Sequence, residues 1–310
     1  MSYNSEVKSY LSKTKEGIET TESELYGLLQ GGISYVFRGR GQILLKFETE
    51  HASVARRFYS LCKEVFSVTP EIRRIVKNQF GESHSYSVEI SEYAACLEIL
   101  RYYNIADMSN GFTLQWKIDV DLIQTEEQKR AYLRGVFLAC GYLADPKKNY
   151  LIEFHAKNQD YAESLSEFLT EFEIGMNIRE KNNEYLLYIK RAEDVSTILA
   201  LCGAYDSVLM LQDKMAQKEM KNKLQRVVNC DTANMNKTIE VSLIQQQAIE
   251  KIIRTKGLSS LPEFLIEAAQ LRMENPESSL SEMAALCDPP LSRSTLDKRL
   301  KRIVRIAEDI

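Results

Sequence analysis

The sequence predicts an α+β protein in which an N-terminal pseudo-twofold repeat of helices and strands is followed by an all-α domain. Three observations carry that prediction. The order helix, two strands, helix, two strands, helix is readable twice, with starts about 108 residues apart, and an internal repeat of this kind implies two similar halves around a pseudo-twofold axis. Each copy opens on an apolar helix bearing glycine, and Leu25, Gly27 and Leu28 line up with Leu133, Gly135 and Val136 at a constant offset. Beyond about residue 206 the strand signals stop and only helical periodicity remains.

The glycine helices organise the first part. Lys129 to Pro146 has no charge between Arg134 and Asp145, and it carries Gly135 and Gly141. A helix apolar on nearly every side is a buried helix. Glycines inside it cost stability unless another backbone approaches closely, so the Leu25–Ile33 stretch is its expected partner. Thr20 to Glu24 and Thr125 to Gln128 supply an acidic stretch with a capping residue before each helix.

In chain order, residues 6–16 read as a lead-in helix, and about 22–31 as the first glycine helix. Ile33–Phe37 and Gln42–Phe47 are strands around the glycine-bearing turn Arg38-Gly-Arg-Gly41. Ala52–Val65 has helical spacing of Val54, Ala55, Phe58, Leu61, Cys62 and Val65. Ile72–Val76 and Tyr86–Ile90 are strands with Phe80-Gly81 between them, and Tyr93–Tyr102 is helical. A segment at about 103–121, strand-like from Phe112 to Val120, joins the halves. The second copy then reads as a helix at about 125–141, strands Tyr142–Ala144 and Tyr150–Phe154, and a helix at about 159–172. Strands Gly175–Arg179 and Tyr185–Ile189 follow across Glu180-Lys-Asn-Asn183, and a helix covers Glu193–Leu201.

The expected domains are 1–205, with repeats at about 20–103 and 124–203, a charged linker helix at 206–228, and a helical domain at 229–310. In the last, Thr232–Ile253 is a long helix, Leu261-Pro262 opens another in a position that suits proline, and Asn275-Pro276 closes it. Ser279-Leu-Ser-Glu282 is a capping-box start. After Met283-Ala-Ala-Leu286 and the turn Cys287–Leu291, a final helix begins at Ser292, giving a helix-turn-helix over about 279–309.

Leu133-Arg-Gly-Val-Phe-Leu-Ala-Cys-Gly141 resembles the paired-helix signature of the LAGLIDADG homing endonucleases. With Arg226-Val-Val-Asn-Cys-Asp-Thr-Ala-Asn-Met-Asn-Lys237 and Gly257-Leu-Ser-Ser-Leu-Pro262, the chain over essentially its whole length resembles the WhiA family. Those are bacterial DNA-binding regulators that join a LAGLIDADG-like domain to a C-terminal helix-turn-helix. The resemblance implies roles in cell division, chromosome segregation and, in sporulating relatives, sporulation. Active LAGLIDADG nucleases place an acid at the eighth signature position of each copy, where the two carboxylates hold divalent cations. The positions resembling these are Gly32 and Cys140, neither of which supplies a carboxylate, so the resemblance implies a helix pair kept for packing and no metal or other cofactor.

Composition excludes several other classes. The six cysteines have no pair at metal-ligand spacing and read as reduced thiols of a cytoplasmic protein. There is no basic leader and no run of eighteen uncharged apolar residues, so no membrane association is expected. His51, His84 and His155 are isolated, and no Walker lysine follows a glycine loop. Charge is asymmetric: residues 1–209 carry 24 Lys and Arg against 30 Asp and Glu, whereas 210–310 carry 16 against 14. A surface lying along a polyanion needs positive excess, which leaves the acidic first part for a regulatory protein partner.

The last helix holds Arg293, Lys298, Arg299, Lys301, Arg302 and Arg305 against one acid, Asp297, with Leu296, Leu300, Ile303 and Val304 as its inward stripe. That is the composition a recognition helix needs. Ser292, Arg293, Ser294, Thr295 and Lys298 lie near its start, where base edges are reached. Arg299, Lys301 and Arg302 are placed to contact phosphates of double-stranded DNA. The turn is one or two residues looser than the common form, as in region 4 of sigma factors. These residues predict a non-enzymatic, nucleoid-associated transcription regulator. A protein-interaction scaffold with an incidental basic helix and a metal-dependent endonuclease are the alternatives. Lys214 to Arg226 reads as the charged outer face of a linker helix or as a second DNA-contacting arm.

Overall fold

The computed structural model describes residues 2–14, 17–38, 42–77, 83–107, 112–181 and 184–310. The turns expected at 38–41, Phe80-Gly81 and 180–183 fall wholly or partly outside the described residues. The chain forms two compact units, Met1–Gln217 and Lys218–Ile310.

In the first unit, α1 (Tyr3–Leu11) precedes α2 (Ile18–Gly32), β1 (Ile33–Arg38), β2 (Gln42–Thr49), α3 (Ala52–Phe66), β3 (Glu71–Lys77), β4 (Ser83–Ile90) and α4 (Tyr93–Tyr102). After the short β5 (Ala106–Asp107) and β6 (Thr113–Leu114), the order repeats. It runs α5 (Glu126–Cys140), β7 (Gly141–Leu143), β8 (Ile152–Ala156), α6 (Gln159–Thr170), β9 (Asn177–Lys181), β10 (Glu184–Ile189) and α7 (Ala192–Cys202). The two four-stranded sheets have the same topology, β1-β2-β4-β3 and β7-β8-β10-β9, and their strands pair antiparallel. The duplicated order read from the sequence is therefore duplicated geometry.

The helix pair α2–α5 joins the copies through its glycines. A Cβ on Gly27 would lie 2.2 Å from the Tyr132 carbonyl oxygen, and one on Gly135 would lie 2.1 Å from that of Glu24. Only glycine permits this approach. Leu25, Leu28, Leu29, Leu133, Val136 and Phe137 flank the crossing with no exposed surface, each contributing about 1.5–3 kcal/mol relative to exposure. Gly141 plays a different part from the one expected. It caps α5 and begins β7 in an extended conformation, paired with Phe154.

Other boundaries move for identifiable reasons. Thr125 and Gln128 form the expected capping box, but Thr20 and Thr21 lie inside α2 and donate to the Gly17 carbonyl, so that helix starts earlier and uncapped by a side chain. The lead-in helix ends at Leu11. Phe112–Val120 forms only the two-residue β6; thereafter Trp116 packs edge-on against Tyr35 and Asp119 caps a 3-10 turn at Val120–Leu122.

The linker helix and the helix after it are one element, α8 (Tyr205–Thr255), 51 residues long. Its first turns bury Leu211 in the first core, and Ala248, Ile249 and Ile252 belong to the second. The second unit continues with α9 (Glu263–Glu274), α10 (Leu280–Leu286) and α11 (Arg293–Glu308). Among the described residues no helix is long and apolar enough to cross a membrane.

Candidate nucleic-acid interface

The helix-turn-helix is built by two caps and one apolar seam. Ser279 and Glu282 close a reciprocal capping box at the start of α10. The Ser292 hydroxyl accepts from the Thr295 N–H at 3.1 Å to start α11. Between them, the Leu291 N–H donates to the Ala284 carbonyl at 2.9 Å, tying the turn back onto α10. Leu296, Leu300, Ile303 and Ala307 on one side of α11 share a core with Met283, Ala284, Leu265, Ala268 and Ala269.

A helix with that seam buried must present the opposite side to solvent. Arg293, Ser294, Lys298, Lys301 and Arg302 are exposed there, as is Arg305. Ser292 and Thr295 are exposed too, but their hydroxyls bond to each other at 2.8 Å as part of the cap. Among the described residues Arg293 and Lys298 have no acidic partner. Lys301 is held by Asp297 at 2.7 Å one turn earlier, an exposed pair worth about 0.3–0.5 kcal/mol.

Arg299 is placed differently from its neighbours. Its side chain is 20% exposed, donates to Glu267 of α9 at 3.0 Å and lies 5.7 Å from the centre of the Phe264 ring. Arg299 thus fastens α11 to α9 and does not stand on the outer face. Arg302 also reaches Phe264, at 5.8 Å, while remaining exposed.

Arg272, which sequence reasoning did not single out, is the buried pin of this unit. Its guanidinium donates to Gln245 at 2.9 Å and to the Ser278 carbonyl at 2.9 Å, with longer bonds to Ser242 and the Asn275 carbonyl at 3.4 Å. It thereby ties α8, α9 and the residue before the α10 cap together.

The ends of α2 and α5 in the first unit are where a LAGLIDADG nuclease would hold cations. A Cβ on Gly32 would lie 2.3 Å from the Phe47 ring, so no carboxylate fits there without displacing the core. The Cys140 thiol donates to the Val136 carbonyl at 3.4 Å, and burial pushes its pKa up to about 11. The Lys157 ammonium sits against this end and donates to the carbonyls of Ile33 at 2.6 Å and Gly32 at 3.3 Å and to Ser34 at 3.1 Å. A second cation, Lys8, is buried nearby on the Leu138 carbonyl at 3.1 Å, and burial pulls its pKa down to about 8. Two ammonium groups and a neutral thiol do not form a donor set for a divalent metal, which takes anionic oxygen ligands. Among the described residues no three His, Cys, Asp or Glu side chains are grouped to hold one.

Comparison with known proteins agrees with this architecture. The WhiA N-terminal LAGLIDADG-like domain matches residues 19–106, the WhiA LAGLIDADG-like domain 129–221, and the WhiA C-terminal HTH domain 224–307. A protein of Clostridium perfringens named "Probable cell division protein WhiA" is 32% identical over 315 residues, spanning 100% of this chain and 98% of the relative. One of the same name from Thermoanaerobacter pseudethanolicus is 34% identical over 312 residues, with the same coverage. The crystal structure of full-length DUF199/WhiA from Thermotoga maritima shares the fold with a TM-score of 0.60, at 23% identity and covering 100% of this chain and 99% of that one. From its duplicated sheets and glycine-crossed helix pair to its C-terminal helix-turn-helix, the chain belongs to the WhiA family.

Proposed function

We propose that the protein is a non-catalytic transcription regulator that binds double-stranded DNA through α11 and acts in cell division. The observation that carries this reading is the outer face of α11, where Arg293 and Lys298 stand exposed, without acidic partners among the described residues, beside Lys301, Arg302 and Arg305. Ser294, Arg293 and Lys298, near the start of the helix, reach base edges. Lys301 and Arg302 contact phosphates, and Arg299 supports them through Glu267. Ser292 and Thr295 serve first as the cap. Membership of a family whose relatives are named cell division proteins supports the cellular role. By the same resemblance that role extends to chromosome segregation and, in sporulating relatives, sporulation, at the nucleoid in the cytoplasm. The acidic residues 1–205 form a regulatory part that engages a protein partner, with residues 206–228 of α8 as linker and 229–310 as the DNA-binding part.

Fluorescence anisotropy of the full chain on duplex DNA tests the first claim. If about four to six phosphates are neutralised, log affinity falls against log salt with a slope of about −4 to −5, and Arg302→Gln flattens it by about one. Arg299→Ala instead lowers thermal stability with little effect on slope. A flat response in the wild type refutes DNA binding.

We also infer that the α2–α5 pair has no nuclease activity, because Lys157 and Phe47 hold the positions that carboxylates and cations would need. Supercoiled plasmid kept with the protein and Mg²⁺ is expected to remain unnicked. Mg²⁺-dependent nicking that persists in a highly purified preparation would overturn this.

A further inference from the structure

The second unit contains a groove of about 1020 Å³ whose opposite wall is not part of the helix-turn-helix. One side is α11 with Arg293, Ser294 and Lys301; the other is the stretch of α8 that carries Asn234, Lys237 and Thr238. Downstream, Ala248, Ile249 and Ile252 of α8 are buried in the core. Asn234, Thr238 and Val241 continue the same side of that helix upstream, at spacings of four and three residues, and line the groove, Asn234 and Val241 exposed and Thr238 half-buried. Lys237 is exposed and, among the described residues, has no acidic partner. Asp297, the acid in the lining, is already engaged by Lys301 at 2.7 Å.

Cations on both rims with hydroxyl and amide groups between them suit a phosphodiester backbone, which offers one charge per residue and acceptor oxygens throughout. The groove is continuous with the outer face of α11, so a duplex seated on that face brings a strand to it. We propose that α8 is a second DNA-contacting element, with Lys237 and Asn234 holding a backbone phosphate across the groove from Arg293 and Lys301. The proposal rests on the DNA-binding reading of α11.

The experiment is anisotropy of the full chain on a mixed-sequence duplex across about 50–200 mM salt, with Lys237→Gln, Arg302→Gln, the double variant and Lys221→Gln. Lys237 is exposed, so its variant should melt as the wild type does. Lys237→Gln is expected to flatten the log–log slope by about one, the double variant by about two, and Lys221→Gln, outside the groove, not at all. If Arg302→Gln flattens the slope and Lys237→Gln does not, α8 is no contact and the α11 reading stands alone. If the wild type itself shows no salt-dependent binding, both fall. Equal effects of Lys221→Gln and Lys237→Gln would mean diffuse charge and overturn the groove. So would loss of the Lys237-dependent increment on adding inorganic phosphate at constant ionic strength, which marks a free-anion site.

Discussion

Replacing Glu24 with alanine is expected to destabilise the first unit by about 3–5 kcal/mol, the cost of removing one partner from a buried ionic cluster. Its carboxylate has no exposed surface and takes Arg57 of α3 in two bonds, at 2.7 and 2.8 Å, and Arg134 of α5 at 3.1 Å. Alanine leaves both guanidiniums buried without that anion. The same residue's carbonyl is the atom that Gly135 approaches, so the cluster and the helix crossing share one position. Trp116, the single tryptophan, lies in this unit and reports on it alone. Its fluorescence should therefore change at lower denaturant in Glu24→Ala, while the helical circular dichroism of the second unit persists. Glu24→Gln, which keeps an acceptor, should lose less. An unchanged tryptophan transition in the alanine variant would show that the cluster contributes nothing net.

How this cluster escaped sequence reasoning explains much of the difference between expectation and structure. Glu24 meets Arg57 across 33 residues and Arg134 across 110, and no local pattern encodes such pairings. Arg134 in the sequence simply marks the end of an uncharged run. What was legible was periodic or stereochemical: the offset of Gly27 and Gly135, the alternation of the strands, the capping boxes at Thr125 and Ser279. Arg299 was grouped with its basic neighbours because composition does not register the turn of the helix. Its place follows from Glu267, 32 residues earlier. The continuity of α8 was readable, since neither glycine nor proline occurs from Tyr205 to Thr255. The change of charge composition within it suggested a break that the backbone does not make.

Arg272→Met is the corresponding test of the second unit, and two opposing effects set its sign. Methionine removes the cost of burying a guanidinium that has no carboxylate among its hydrogen-bond partners, which taken alone would stabilise. It also strands the buried Gln245 acceptor and the half-buried Ser278 carbonyl, and removes the two longer bonds to Ser242 and the Asn275 carbonyl. Each orphaned group costs about 1–3 kcal/mol. The orphaned acceptors win, because the 2.9 Å bonds join three separate segments that methionine cannot bridge. A net loss of about 2–4 kcal/mol follows, seen in the helical circular dichroism melt without movement of the Trp116 transition. Ser278 immediately precedes the cap of α10, so loosening it also loosens the seat of α11. DNA affinity should fall at every salt concentration while the slope keeps its wild-type value, because no phosphate-contacting cation has been removed. Arg272→Lys retains the charge without the fork and should recover only part of the stability. A methionine variant as stable as the wild type would mean that the burial cost equals all that the four bonds supply, and that the apolar seam alone seats the helix-turn-helix.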